Sequence, residues 1–129
     1  MGTEQGEGDM IDLVDVTTLV PRYKSDDEKD FANLGPTILQ NHFHAAVLEM
    51  RYEPVRFKVP GGSYRPDFLV LLAADMVEHA RIVFVEVKGA KQQRGYRDSI
   101  SKLRAVAELY PWWTWVLVWA KTWEVEEVV

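Results

Sequence analysis

The chain has 129 residues, a formal net charge of -5 at pH 7 and no cysteine. That is the length of one ordinary domain, able to bury a core without covalent staples. Without cysteine there is no disulfide framework, thiolate zinc site or cysteine nucleophile, so any metal would sit on oxygen or imidazole. No apolar run approaches the roughly 20 residues that span a bilayer, and no basic-then-apolar leader opens the chain, so the expectation is a soluble cytoplasmic protein with no membrane partner.

The acidity is unevenly placed. Residues 1–30 carry nine acidic and three basic side chains, whereas residues 31–129 carry eleven and twelve. The first 30 residues therefore read as an acidic appendage, with residues 1–9 lacking the apolar content to order themselves. Residues 11–20 hold enough Val, Leu and Thr for a short strand docked on the domain. The domain proper is expected over 31–129.

Phe31, Leu34, Ile38, Leu39, Phe43, Ala46 and Val47 recur near helical spacing, which predicts a helix over 31–49. Ser25 or Asp26 would cap it, and Gly35-Pro36 would break or restart it. The period then shifts to two. Residues 52–59 and 64–72 read as strands joined by a tight turn at Pro60-Gly61-Gly62-Ser63. Residues 81–88 are apolar on both faces until their end, as in a central strand covered on both sides. A basic amphipathic helix is expected over 92–109, a buried strand over 113–120 and an edge strand over 123–129. The fold class is α/β, with a central mixed sheet of four to five strands flanked by helices in the order α-β-β-β-α-β-β.

The chemistry lies in the second and third strands. Glu86 and Lys88 are two residues apart and share a strand face. If residues 73–80 form the connection and Leu72 faces Arg81, then Asp67 faces Glu86. Cross-strand partners have Cβ atoms about 4.5–5.5 Å apart, so two carboxylates would meet beside an ammonium group. Such carboxylates raise each other's pKa, and a divalent cation reverses the sign of the interaction. Oxygen ligands select Mg²⁺, Mn²⁺ or Ca²⁺ over zinc, with Mg²⁺ the expected cofactor and Mn²⁺ its substitute. The plainer alternative is a cross-strand ion pair of Lys88 with either acid. Beside this trio, the stretch 88–104 holds six basic residues against Asp98 alone. Among them Lys91, Arg94, Arg97 and Lys102 would make a phosphate-binding surface.

Pro66-Asp67 followed by Glu86-Val87-Lys88, placed on successive strands after one helix and before another, resembles the PD-(D/E)XK nuclease superfamily with its restriction-endonuclease-like fold. Within it, Arg65-Pro66-Asp67-Phe68 and Val85-Glu86-Val87-Lys88-Gly89 look most like small phage-borne endonucleases, and more distantly like Holliday-junction resolvases and transposon end-cutting subunits. The resemblance covers about residues 31–123. It implies a Mg²⁺-dependent endodeoxyribonuclease in a bacterial or phage-infected cell, acting on duplex or branched DNA, with a homodimer as one way to address two strands. Asp67, Glu86 and the Val87 carbonyl would hold the metal, and Lys88 would orient the attacking water.

Many members of that superfamily add a Glu from the first helix, and no Glu falls in the middle of residues 31–49. Gln40, His44 and Glu49 are the polar residues expected to stand in. That departure supports an alternative, a catalytically silent nucleic-acid-binding or assembly module on the same fold. Other patterns carry less. His42 and His44 would diverge on a helix and make no zinc pair. The stripe Trp113, Trp115, Leu117, Trp119 reads as core, and Gly61-Gly62 as a turn.

Overall fold

The computed structural model describes residues 22–74, 80–89 and 96–128. The expected strand over 11–20, and the basic residues Lys91 and Arg94, lie outside them, as does the side chain of Arg97.

Helix α1 spans Asp26–Phe43. The Ser25 hydroxyl caps it by accepting a hydrogen bond from the Glu28 N–H at 3.2 Å. Asp26, Asp27 and Glu28 then place negative charge against the positive end of the helix dipole. The helix thus begins five residues earlier than the apolar periodicity suggests. It also runs unbroken through Pro36. Phe31 and Leu39 are fully buried on either side of that proline. Each contributes about 1.5–3 kcal/mol, enough to offset the roughly 3 kcal/mol an interior proline costs. Gly35 serves close packing, since a Cβ there would lie 3.0 Å from the Phe31 ring and 3.1 Å from Met50 Cε. His44 ends the helix in the left-handed region (φ 56°), its N–H donating to the Gln40 carbonyl.

Strands follow as β1 (Val47–Tyr52), β2 (Phe57–Val59), β3 (Gly62–Tyr64), β4 (Phe68–Ala73) and β5 (Ala80–Lys88). Helix α2 (Tyr96–Leu109), β6 (Thr114–Trp119) and β7 (Glu124–Val128) complete the described chain. The sheet order is β1-β4-β5-β6-β7, with β5 and β6 parallel and every other pair antiparallel. This is the α/β class and mixed five-stranded sheet expected, with the doubly apolar strand at its centre.

Two expectations are corrected. Residues 47–49 belong to β1 and not to the first helix. The continuous strands over 52–59 and 64–72 are each interrupted, so β2 and β3 form a separate two-stranded sheet around Gly61 (φ 87°) and Gly62 (φ 144°). Pro54 and Pro66 have no N–H to give a ladder, and Glu53 turns the chain at φ 45°.

Alternation along the strands makes two cores. One face packs Phe68, Val70, Val83, Val85, Val116 and Val118 beneath α1. The other packs Phe84, Trp115, Leu117 and Trp119 beneath α2 and the small hairpin. The Trp stripe is therefore core, with Trp115 stacked on Phe84 at 4.6 Å. No helix among the described residues is long and apolar enough to cross a membrane.

Because Phe31 fixes α1 to the sheet, Phe31→Ala is expected to lower unfolding free energy by about 3–5 kcal/mol. A urea titration should show a lower midpoint at unchanged slope.

Candidate active site

The ladder between β4 and β5 pairs Leu72 with Arg81 and Phe68 with Val85, the register expected from the sequence. Continued by one residue it sets Asp67 opposite Glu86, and by two it sets Pro66 opposite Val87. Beyond the ladder the Val87 N–H finds its acceptor in a side chain, donating to Asp67 Oδ2 at 2.8 Å. Asp67 thus sits against the backbone between Glu86 and Lys88, only 6% exposed.

Glu86 is also 6% exposed and is held at both oxygens. The Tyr64 hydroxyl on β3 donates to its Oε1 at 2.5 Å. Lys88 Nζ stands 3.5 Å from Oε2 and donates to Ser99 Oγ on α2 at 2.9 Å. The hairpin and α2 therefore clamp the Glu86–Lys88 pair from two sides. The ladder register is the expected one as far as Phe68, and the three side chains are neighbours, with the lysine–glutamate ion pair present among them.

A third carboxylate joins from α1, and it is Glu28. It is 8% exposed, its Oε1 accepts from the Tyr52 hydroxyl at 2.6 Å and from the Lys24 N–H at 3.1 Å, and its charge is near enough to help raise the Asp67 carboxyl. The residues named as helix stand-ins are elsewhere. Gln40 accepts from the Val47 N–H, His44 caps the helix and is exposed, and Glu49 on β1 pairs with Arg51. Their positions follow from the true helix bounds, which put the N-terminus of α1 at the site and its C-terminus at the far end of the sheet. His42 pairs with Glu127 at 3.0 Å. Lys102 pairs with Asp98 one helical turn away at 3.6 Å.

Glu28 had a legible signal, the Ser25-x-x-Glu28 spacing of a capping box. Weighing that spacing above the first apolar residue would have started the helix at Asp26. Tyr64, Tyr52 and Ser99 carry no comparable signal, because each comes from a different segment.

Burial pushes the Asp67 carboxyl up to about 9, reinforced by the charges of Glu86 and Glu28 and opposed by the Val87 N–H. Burial also raises Glu86, against the lowering pull of Tyr64 and Lys88. Tyr64 is raised well above its ordinary value by burial and by the Glu86 charge.

Among the described residues no three acidic or imidazole groups form a ready-made cation cage. The donor set nevertheless fits a hard cation. It offers buried carboxylate oxygens, each with a second lone pair, and Mg²⁺ commonly takes only one or two carboxylates and keeps several waters. Asp67 and Glu86 would hold it, with the Val87 carbonyl as the third oxygen the sequence suggested.

The chain matches no protein-family model, no curated protein and no solved structure.

The folded state holds the Asp67 proton to about pH 9, whereas the unfolded chain releases it near the ordinary value of 3.8. Folded protein thus binds more protons across that window, and metal-free stability falls as pH rises through it. Melting temperatures in EDTA should decline from pH 5 to pH 9, and Asp67→Asn should flatten the decline. Added Mg²⁺ should raise the melting temperature more at pH 8 than at pH 5.

Proposed function

We propose that the protein is a metal-dependent nuclease that hydrolyses phosphodiester bonds, with Asp67, Glu86 and Glu28 as its acidic centre and Lys88 as its catalytic cation. The carrying observation is the pair of nearly buried carboxylates, Asp67 and Glu86, at the adjoining ends of β4 and β5 beside the Lys88 ammonium, with the charge of Glu28 on α1 near enough to raise Asp67. A purely structural ion pair needs one acid and one base. Two nearly buried acids at adjoining strand ends raise the cost of ionising each other, and a bound cation would turn that repulsion into attraction.

When bound there, Mg²⁺ supplies Lewis-acid polarisation of the phosphate and a more acidic water. The chain's residues do the rest. Tyr64 holds Glu86 in one orientation, the Val87 N–H fixes Asp67, and Ser99 positions the Lys88 ammonium, which can stabilise charge developing on the phosphate. Burial holds the proton on Asp67 when no cation is present, and a cation binding there would favour its release.

The mixed sheet with α1 and α2 supports a restriction-endonuclease-like arrangement, and Arg65-Pro66-Asp67-Phe68 supports a small phage-type endonuclease acting on duplex or branched DNA. The alternative, a catalytically silent binding module on the same fold, drew on the lack of a helix carboxylate, and Glu28 on α1 favours the catalytic reading over it.

Supercoiled plasmid, single strands and branched junctions should be cut with Mg²⁺ or Mn²⁺ and left intact in EDTA. Asp67→Asn, Glu86→Gln and Lys88→Ala should each lower cutting by about 10²-fold or more while leaving the folded circular-dichroism spectrum unchanged. Glu28→Gln should raise the Mg²⁺ concentration needed for half-maximal cutting. Absence of cutting on every substrate with every metal would sink the nuclease reading.

A further inference from the structure

A polyanionic substrate approaching three buried carboxylates is repelled unless cations meet it at the entrance. Two such cations are fixed beside this site by a single residue. Glu53, 13% exposed at its side chain, holds Lys24 Nζ at 2.6 Å and Arg65 at 3.7 Å. Both belong to segments that build the site. The Lys24 N–H donates to the Glu28 carboxylate, and Arg65 lies two residues before Asp67. The Lys24 ammonium is near enough to Glu28 and Asp67 for their charges, after that of Glu53, to raise its pKa.

Glu53 itself adopts φ 45°, a left-handed conformation costly for a non-glycine residue. Its N–H donates to the Asp67 carbonyl at 2.7 Å. One strained residue thus anchors the Asp67 backbone with its amide and gathers two cations with its carboxylate. One carboxylate cannot neutralise both. Arg65, at 3.7 Å, makes an ion pair too long for a hydrogen bond, and its side chain is 40% exposed. The Lys24 side chain is 69% exposed. The exposed ends of both cations therefore carry positive charge to the surface beside Glu28 and Asp67. Elsewhere among the described residues, Arg51 pairs with Glu49, Lys102 with Asp98, and Arg81 lies over the Phe43 ring.

We propose that Lys24 and Arg65, gathered by Glu53, form a backbone-phosphate-binding site for a nucleic-acid strand, holding a phosphate next to the one that is cut. The proposal deepens the nuclease reading and rests on it for the class of polymer. Glu53 is a positioning residue, and Lys24 and Arg65 contact the strand through charge alone, without selecting sequence.

The test is binding of a fluorescein-labelled duplex DNA 20-mer to the full chain in EDTA, by anisotropy, over a series of salt concentrations. A cation that neutralises one duplex phosphate contributes about 1 to the slope of log affinity against log salt. Lys24→Ala/Arg65→Ala should bind more weakly, with a slope shallower by about 2, at an unchanged melting temperature. Lys24→Arg/Arg65→Lys keeps both charges and should keep the wild-type slope. An unchanged slope in the alanine pair overturns the proposal, and if that protein still cuts plasmid, the nuclease reading survives alone. A wild-type chain that neither binds nor cuts DNA overturns both.

Discussion

Asp67 and Glu86 are nearly buried at adjoining strand ends, and ionising either raises the cost of ionising the other. Much of the surrounding structure answers that constraint. Tyr64 and Lys88 draw Glu86 toward its charged form, the Val87 N–H does the same for Asp67, and Glu28 works in the opposite sense by adding a third acid. A fold selected only for stability would replace such a group with apolar side chains of similar volume. Keeping it is intelligible if a cation binds there, because the repulsion that destabilises the empty centre becomes attraction toward the ion.

The architecture delivers the members of this centre from separate layers. Strand β5 runs through the middle of the sheet with Val83, Val85 and Val87 toward α1 and Phe84 toward α2. That arrangement carries Glu86 and Lys88 to the α2 face, where Ser99 meets the lysine. The separate hairpin of β2 and β3 looks dispensable to the main sheet, yet it supplies the phenol that holds Glu86. Helix α1 points its N-terminus at the site. Its first-turn acids suit the helix dipole in any case, and one of them, Glu28, reaches Asp67. Capping chemistry and site chemistry coincide in that residue.

Glu53 links two scales of the same problem. Its amide ties down Asp67, and its side chain sets Lys24 and Arg65 at the rim. The acidic interior and basic rim together fit a ligand pairing negative charge with a divalent ion, as a phosphodiester does. The net charge of -5 is no obstacle, because the local field at the entrance decides what approaches.

The sequence by itself determined the α/β class, the central place of β5, the β4–β5 register and the neighbourhood of Asp67, Glu86 and Lys88. These follow from local periodicity: a period of two assigns faces, and a register once started carries every later pair with it. The bounds of α1 were only partly legible, because apolar spacing marks where a helix is buried and not where it begins. Only the tertiary structure decided that Glu28 joins Asp67, that Tyr64 and Ser99 clamp the Glu86–Lys88 pair, and that Lys24 and Arg65 meet on Glu53. Those residues come from segments tens of positions apart, and their meeting depends on how α1, the hairpin and α2 pack on the sheet. No local pattern encodes it. Gln40, His44 and Glu49 lie away from the site because it is the N-terminal turn of α1 that faces Asp67, which apolar spacing alone does not encode.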